Sequence, residues 1–239
     1  TAVCCLSSLN LEKYDEWKDD PDMINDVMRF LDNVLSDFIN KAPEQFKDAK
    51  YSAERERSVG LGVMGFHSFL QKKRIPLESV MSKSWNKKIF KNIHEKVNQA
   101  SKDLAEERGA CPDAAEYGFK ERFSNKTAIA PTASISIICG GASPGVEPIA
   151  ANSYTHKTLS GSFNVRNRYL EEILESHGKN DDETWSTITT NQGSVSHLDF
   201  LTDLEKDVFK TAFELNQKWI IELSGDRTPF ISQAQSVNL

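Results

Sequence analysis

Apolar residues fall along this chain in two rhythms, one at helical spacing and one in short uninterrupted runs. Ile24, Val27, Met28, Leu31, Val34, Leu35 and Phe38 keep to one helical face, which predicts an amphipathic helix. Asp20-Pro21 supplies its N-cap and a first-turn proline, and the helix runs to about Asn40, ahead of Pro43. A second stripe of Trp85, Ile89, Phe90, Ile93, Val97, Ala100 and Leu104 predicts a long helix from Ser84 to near Gly109. From Phe200 onward, Leu204, Val208, Ala212, Leu215, Trp219 and Leu223 predict a last helix. Short apolar runs at residues 2–11 and at Ala128-Ile-Ala130 predict strands. Long amphipathic helices alternating with such runs give an α/β architecture, with no internal repeat.

The most informative stretch runs from Thr127 to Gly141. Pro131 ends the 128–130 strand because it has no N–H to donate. Thr132, Ala133 and Ser134 follow, and then apolar residues resume at Ile135, Ile137 and Ile138, the signature of a helix start. Unpaired amides and the positive end of a helix dipole suit an anion such as a phosphate. An ordinary strand–turn–helix corner has the same pattern. Gly140 to Pro148 is rich in turn residues, residues 150–163 are rich in hydroxyls with a weak alternation that suggests extended structure, and residues 177–183 are a polar break.

A net charge of −6 argues against a nucleic-acid-binding surface, and Lys72-Lys-Arg74 is too short a basic run to offset it. No apolar stretch reaches the roughly 20 residues that span a bilayer. Four cysteines without CxxC spacing give neither a disulfide framework nor a zinc site, which fits a reduced, cytoplasmic protein without a metal site of its own. Cys4 and Cys5 are neighbours on the first strand and so face opposite ways. The segment from Gly60 through Gly62 to Gly65 matches GxGxxG, but the charged residues before it do not read as the buried strand of a dinucleotide site, so a turn with closely packed backbones is expected. His67 and His94 stand alone and read as structural side chains.

Four motifs in order resemble the large, catalytic (alpha) subunit of class I ribonucleotide reductase: Ala2-Val-Cys4-Cys5-Leu6-Ser-Ser-Leu-Asn-Leu11, Arg57-Ser-Val-Gly60-Leu-Gly62-Val-Met-Gly65, Ala128-Ile-Ala-Pro131-Thr-Ala-Ser134-Ile-Ser136, and Asp226-Arg-Thr-Pro-Phe-Ile-Ser-Gln-Ala-Gln235-Ser-Val-Asn-Leu239. The resemblance implies the second half of a ten-stranded α/β barrel, so residues 1–239 are expected to form a partial catalytic barrel domain truncated at both ends. It implies reduction of ribonucleoside diphosphates at the 2′ carbon by thiyl-radical chemistry, for deoxyribonucleotide supply. Cys4 is then one of the redox-active cysteine pair, with its partner outside the chain, and Cys5 is a bystander. Leu6 would line the nucleoside pocket, and Pro131, Thr132, Ala133, Ser134 and Ile135 would hold the substrate phosphate.

The resemblance also implies that this segment binds no cofactor itself. A metal-containing beta subunit would supply the radical, and thioredoxin or glutaredoxin the electrons. The finger-loop cysteine would lie before residue 1 and the radical-delivering tyrosines beyond Leu239, so turnover is expected only with the remaining part of the alpha subunit. Three rival readings are an adenosylcobalamin-dependent reductase, a non-catalytic piece that binds a phosphate ligand or a partner, and a nicotinamide enzyme using Gly60, Gly62 and Gly65. A strand before Gly60 is what the last of these requires.

Overall fold

A computed structural model describes residues 3–159 and 161–239; Thr1, Ala2 and Ser160, which the strand and extended-segment expectations include, lie outside the described residues. Strand β1 is Leu6–Asn10, a later start than residue 2, because Val3–Cys5 are not paired as strand. A short helix α1 (Tyr14–Trp17) leads to α2 (Met23–Lys41). The helix starts two residues later than expected, with Asp22 and not Asp20 at the N-cap and Pro21 outside it, and Asp20 Oδ1 instead accepts from the N–H groups of Asp22 and Met23 at 2.9 and 3.2 Å. Helix α3 (Lys47–Glu56) then precedes β2 (Gly60–Met64). Gly60–Met64 is therefore a fully buried strand where a turn was expected, and the residues before it are helical. That removes the strand a nicotinamide site would need.

Helix α4 (Phe66–Lys72) follows β2, and α5 (Val80–Arg108) begins four residues earlier than its apolar stripe suggests, since Ser79 Oγ accepts from Ser82 N–H at 3.1 Å. The short α6 (Pro112–Glu116) leads to the extended residues 127–130 and to α7 (Ile135–Ile138). An antiparallel hairpin of β3 (Ser153–Thr158) and β4 (Gly161–Arg166) realises the extended segment. Helices α8 (Arg168–Ser176), α9 (Asp182–Thr190), α10 (Asp203–Val208) and α11 (Gln217–Arg227) complete the fold.

The expected last helix is two helices. Thr202 and Glu205 form a reciprocal cap that starts α10. Thr211 donates from both its N–H and its hydroxyl to Glu214 at 2.8 Å, Ala212 N–H goes to Ile149 O, and Asn216 caps α11. These bonds draw residues 209–216 out of a helical path. The apolar positions that looked like one stripe serve two cores: Val208 packs with α8 and α9, whereas Leu215 and Leu223 join the main core.

β1 and β2 pair in parallel, with Leu6 opposite Gly60 and Asn10 opposite Met64. Leu61 bridges in parallel to Thr127, and Ile129 in parallel to Gln235. Four segments thus lie side by side in one direction: β1, β2, residues 127–130 and the stretch around Gln235. Parallel neighbours need crossovers, which α2, α3 and α5 provide. One face of this sheet is buried. Cys5, Leu9, Leu61, Val63 and Ile129 share a core with Met28 and Leu31 of α2 and Ile89 and Ile93 of α5. Among the described residues no helix is long and apolar enough to cross a membrane.

A buried ion cluster ties this helical layer together. Asp32 on α2 is fully buried, and its Oδ1 accepts from Arg57 Nη2 at 2.7 Å and Arg122 Nε at 2.9 Å, its Oδ2 from Arg108 Nη1 at 2.8 Å. Burial pushes this carboxyl upward, but the hydrogen bonds from Arg122 and Arg108 and the charges of Arg57 and Arg122 outweigh it and hold it below the ordinary aspartate value. Arg57 adopts φ 43° at the end of α3, a conformation its guanidinium bonds help to hold. Asp32→Asn should cost about 3–5 kcal/mol in denaturant unfolding, because it strands arginine charge in the interior. Since the folded pKa is depressed, the stabilisation is present above the unfolded value and lost as pH falls through the folded one. Acid titration of the variant should therefore show a flatter loss of stability below pH about 4 than the parent.

Candidate active site

The other face of the parallel sheet is open along its flanks, where Leu6 is exposed and Ser8, Asn10, Ala128 and Ala130 are half-buried, while β2 between them stays buried. Along β1, alternation puts Leu6, Ser8 and Asn10 on this side and Leu9 on the buried side, and in the unpaired residues before the strand Cys4 is exposed and Cys5 buried. Cys4 is exposed, Leu6 is 44% exposed and Cys5 is 7% exposed. Cys5 Sγ lies 3.7 Å from Leu31 O, and burial, followed by the neighbouring Cys4, pushes its thiol up. Adjacent thiols thus occupy different environments: one faces the open side and the other is a protonated core group.

The floor beside Cys4 and Leu6 is made of small residues. A Cβ on Gly60 would collide with Leu6 Cδ2 and come within 2.9 Å of Ala128 Cβ. One on Gly62 would run into Ala128 O. Glycine is required at Gly62 because the Ala128 backbone approaches so closely, whereas at Gly60 the neighbours are side chains and Leu6 could move. This is the close packing expected of the segment, achieved inside a strand.

Residues 127–130 lead from this floor into the loop. Pro131, Ala133, Ser134 and Ile135 are exposed, and Thr132 is buried with φ 57°. Thr132 Oγ1 accepts from Gly145 N–H at 2.7 Å, fastening the loop to the turn-rich segment beyond α7. No described residue accepts from the amides of Thr132, Ala133, Ser134 and Ile135, and none bonds the Ser134 hydroxyl. Four consecutive amides at a left-handed kink are thus left without a protein acceptor, as an anion site would require.

Helix α7 is only one turn long, so the amides themselves, more than a macrodipole, make this environment positive. Ile135, Ile137 and Ile138 are 43%, 49% and 82% exposed. They belong to no core, contrary to the usual meaning of a resumed apolar run. The helix stops because Gly140 and Gly141 take φ 90° and 78°, and Gly141 N–H and Ala142 N–H close back on Ser136 O.

Behind α7 lies a cavity of about 510 Å³, walled by Ala133, Ser136 and Ile137 on one side and by Asn152, Asn167 and Tyr169 on the other. Its polar groups satisfy one another. Asn167 Nδ2 donates to Asn152 Oδ1 at 2.8 Å and to Gln71 Oε1 at 3.0 Å, and Tyr169 Oη donates to Glu12 Oε1 at 2.8 Å. Burial, reinforced by Glu12, pushes the Tyr169 hydroxyl well above the ordinary phenol range. Among the described residues no cluster of His, Cys, Asp and Glu could hold a metal ion.

His67 fastens the far end of the same loop. It is 1% exposed and its Nδ1 accepts from Ile149 N–H at 3.1 Å. Ser68 and Ser143 exchange amide-to-hydroxyl bonds at 3.1 and 2.9 Å beside it. Gly145 N–H, Asn10 Nδ2 and Arg168 Nη2 donate to Thr132 Oγ1, Cys139 O and Gly140 O, and Glu12 pairs with Arg168, yet sequence reasoning gave none of the four a role in holding the loop. Only the glycine-rich turn gave a signal, and nothing in the local pattern tied it to Thr132. His94 also packs structurally, its Nδ1 3.3 Å from Phe230 O.

Comparison with known proteins places this geometry in context. The family model described as "Ribonucleotide reductase, barrel domain" matches residues 1–121 and 113–239. The chain is similar to the ribonucleoside-diphosphate reductase large subunit of Invertebrate iridescent virus 6, 51% identical over 243 residues, covering 100% of this chain and 25% of that protein. It is 42% identical over 242 residues to the putative large subunit of Frog virus 3, covering 42% of it. Among solved structures it resembles the class Id ribonucleotide reductase alpha subunit of Actinobacillus ureae, with a TM-score of 0.91 and 40% identity over 99% of this chain and 43% of that one. The chain thus spans between a quarter and 43% of the length of these relatives.

His67 generates a pH prediction. Burial pushes its imidazole down to about 4, so the folded protein keeps it neutral while the unfolded chain binds a proton below pH about 6.5. Its contribution is present above the unfolded pKa and is lost as pH falls from there towards the folded one. The loss should amount to about 3 kcal/mol. His67→Asn, which keeps an acceptor near Ile149, should remove that pH dependence from thermal unfolding between pH 4 and 6.5.

Proposed function

Because the chain belongs to the ribonucleotide reductase barrel-domain family, we propose that it is the C-terminal half of the catalytic barrel of a class I ribonucleoside-diphosphate reductase large subunit. The four parallel segments are then part of a ten-stranded barrel, and their open face is its interior. The observation that carries this reading is the open face itself. On it an exposed Cys4 and Leu6 border a glycine and alanine floor, and the 127–130 segment beside that floor runs into four free amides.

In this reading the amides of Thr132, Ala133, Ser134 and Ile135, with the Ser134 hydroxyl, donate to the phosphate oxygens after Pro131. The Thr132 hydroxyl already accepts from Gly145, so its first task is to hold the loop. Leu6 packs against the nucleoside. The anchored diphosphate fixes the ribose against the sheet, the orientation a radical step needs. Cys4 supplies one of two thiols. The pair gives two electrons and two protons, the 2′-hydroxyl leaves as water, and the cysteines close to a disulfide that an external dithiol of the thioredoxin or glutaredoxin type reopens. The partner cysteine belongs to the remaining part of the subunit, and the radical to a metal-containing beta subunit. The class I reading is preferred over an adenosylcobalamin-dependent one by the likeness to a class Id alpha subunit across 99% of the chain.

The test is turnover in the intact large subunit carrying this segment, with its radical-generating partner and a dithiol reductant. Cys4→Ser should hold product to a single round or less, whereas Cys5→Ser should retain multiple turnover. Full multiple turnover by Cys4→Ser would remove Cys4 from the redox role. A wild-type assembly that binds nucleotide and never turns over would favour a binding-only segment.

A further inference from the structure

Asn10, Glu12, Arg168 and Tyr169 have no part in the chemistry proposed above, yet they gather at the C-terminal end of α7. The carbonyls of Cys139 and Gly140, just past that helix, have no backbone donor among the described residues. Each instead receives a side chain. Asn10 Nδ2 donates to Cys139 O at 3.4 Å, and Arg168 Nη2 donates to Gly140 O. The same Arg168 nitrogen stands 3.5 Å from Glu12 Oε2.

Glu12 is itself immobilised. It is 5% exposed, Tyr169 Oη donates to its Oε1, its N–H donates to Asn10 Oδ1 at 3.0 Å, and Lys72 Nζ donates to its carbonyl at 2.9 Å. Asn10 ends β1 and Glu12 lies two residues beyond, so the end of α7 is bound to the strand that follows Cys4. A one-turn helix is about 6 Å long and too short to absorb a shift. Where its last carbonyls sit therefore decides where its first amides point. The Arg168 side chain is 48% exposed, so its ion pair alone contributes little stability; its effect lies in direction.

We infer that Arg168 is a positioning residue for the phosphate loop: by bridging Gly140 O and Glu12 it sets the loop amides at a fixed place relative to the Cys4 strand. This rests on the reading of residues 131–135 as the phosphate site. The experiment compares equilibrium affinity for ribonucleoside diphosphates with that for the parent nucleosides, in the intact large subunit carrying this segment. Wild type should prefer the diphosphates. Arg168→Met should lose roughly tenfold in diphosphate affinity, the scale of one charged hydrogen bond, with nucleoside affinity unchanged. Arg168→Lys should recover part of the loss. In turnover, KM should rise with kcat nearly constant.

If wild type shows no preference for the diphosphate, the phosphate-loop reading fails. If wild type does and Arg168→Met keeps the same preference, the positioning role is overturned while the loop reading stands. Equal weakening of both ligand classes would also overturn it, as general distortion. Should Arg168→Met not fold, the comparison is made on Glu12→Gln, and an unchanged diphosphate preference there overturns the inference.

Discussion

The fold rests on how closely residues 128–129 approach β2. Gly62 has no room for a Cβ against the Ala128 carbonyl, and at Gly60 the Leu6 and Ala128 side chains fill the space one would need. The constraint is steric and does two things at once. It lets a fully buried strand sit between β1 and residues 127–130, and it leaves the open face without bulky side chains.

Just before β1 the two neighbouring thiols part: Cys5 is buried in the core and Cys4 is exposed. The loop after residue 130 is fastened through Thr132 to Gly145, through His67 to Ile149, and through Arg168 to Gly140. The segment with the free amides is thus held at three points by neighbouring elements.

The sequence disclosed those parts of the fold that bury one side. Helices α2 and α5 cover a sheet with one face, and their stripes located them to within a few residues. β2 was hidden because a strand buried on both faces has no alternation, and its glycines resemble turn residues. The last helix was overextended because residues of two cores happen to fall at helical intervals. Cys4, Leu6 and the 131–135 loop drew attention from local pattern and family likeness. The bonds from Thr132 to Gly145 and from Arg168 to Gly140 join residues 13 and 28 positions apart, and no short-range periodicity encodes such pairings.

The second hydrophobic cluster, built from α8, α9 and residues 195–209, is separate from the main one. Polar contacts join the two: Arg74 to Tyr169 O and Glu172, Tyr169 to Glu12, and Gln71 to Asn167 and Val208. Cores joined mainly by hydrogen bonds open as distinct cooperative units, because breaking the seam exposes little apolar area. Arg168 sits on that seam. The order of the loop after residue 131 is therefore coupled to the breathing of a neighbouring foldon, and a ligand that stiffens the loop would slow amide exchange in α8 and α9, far from any atom it touches.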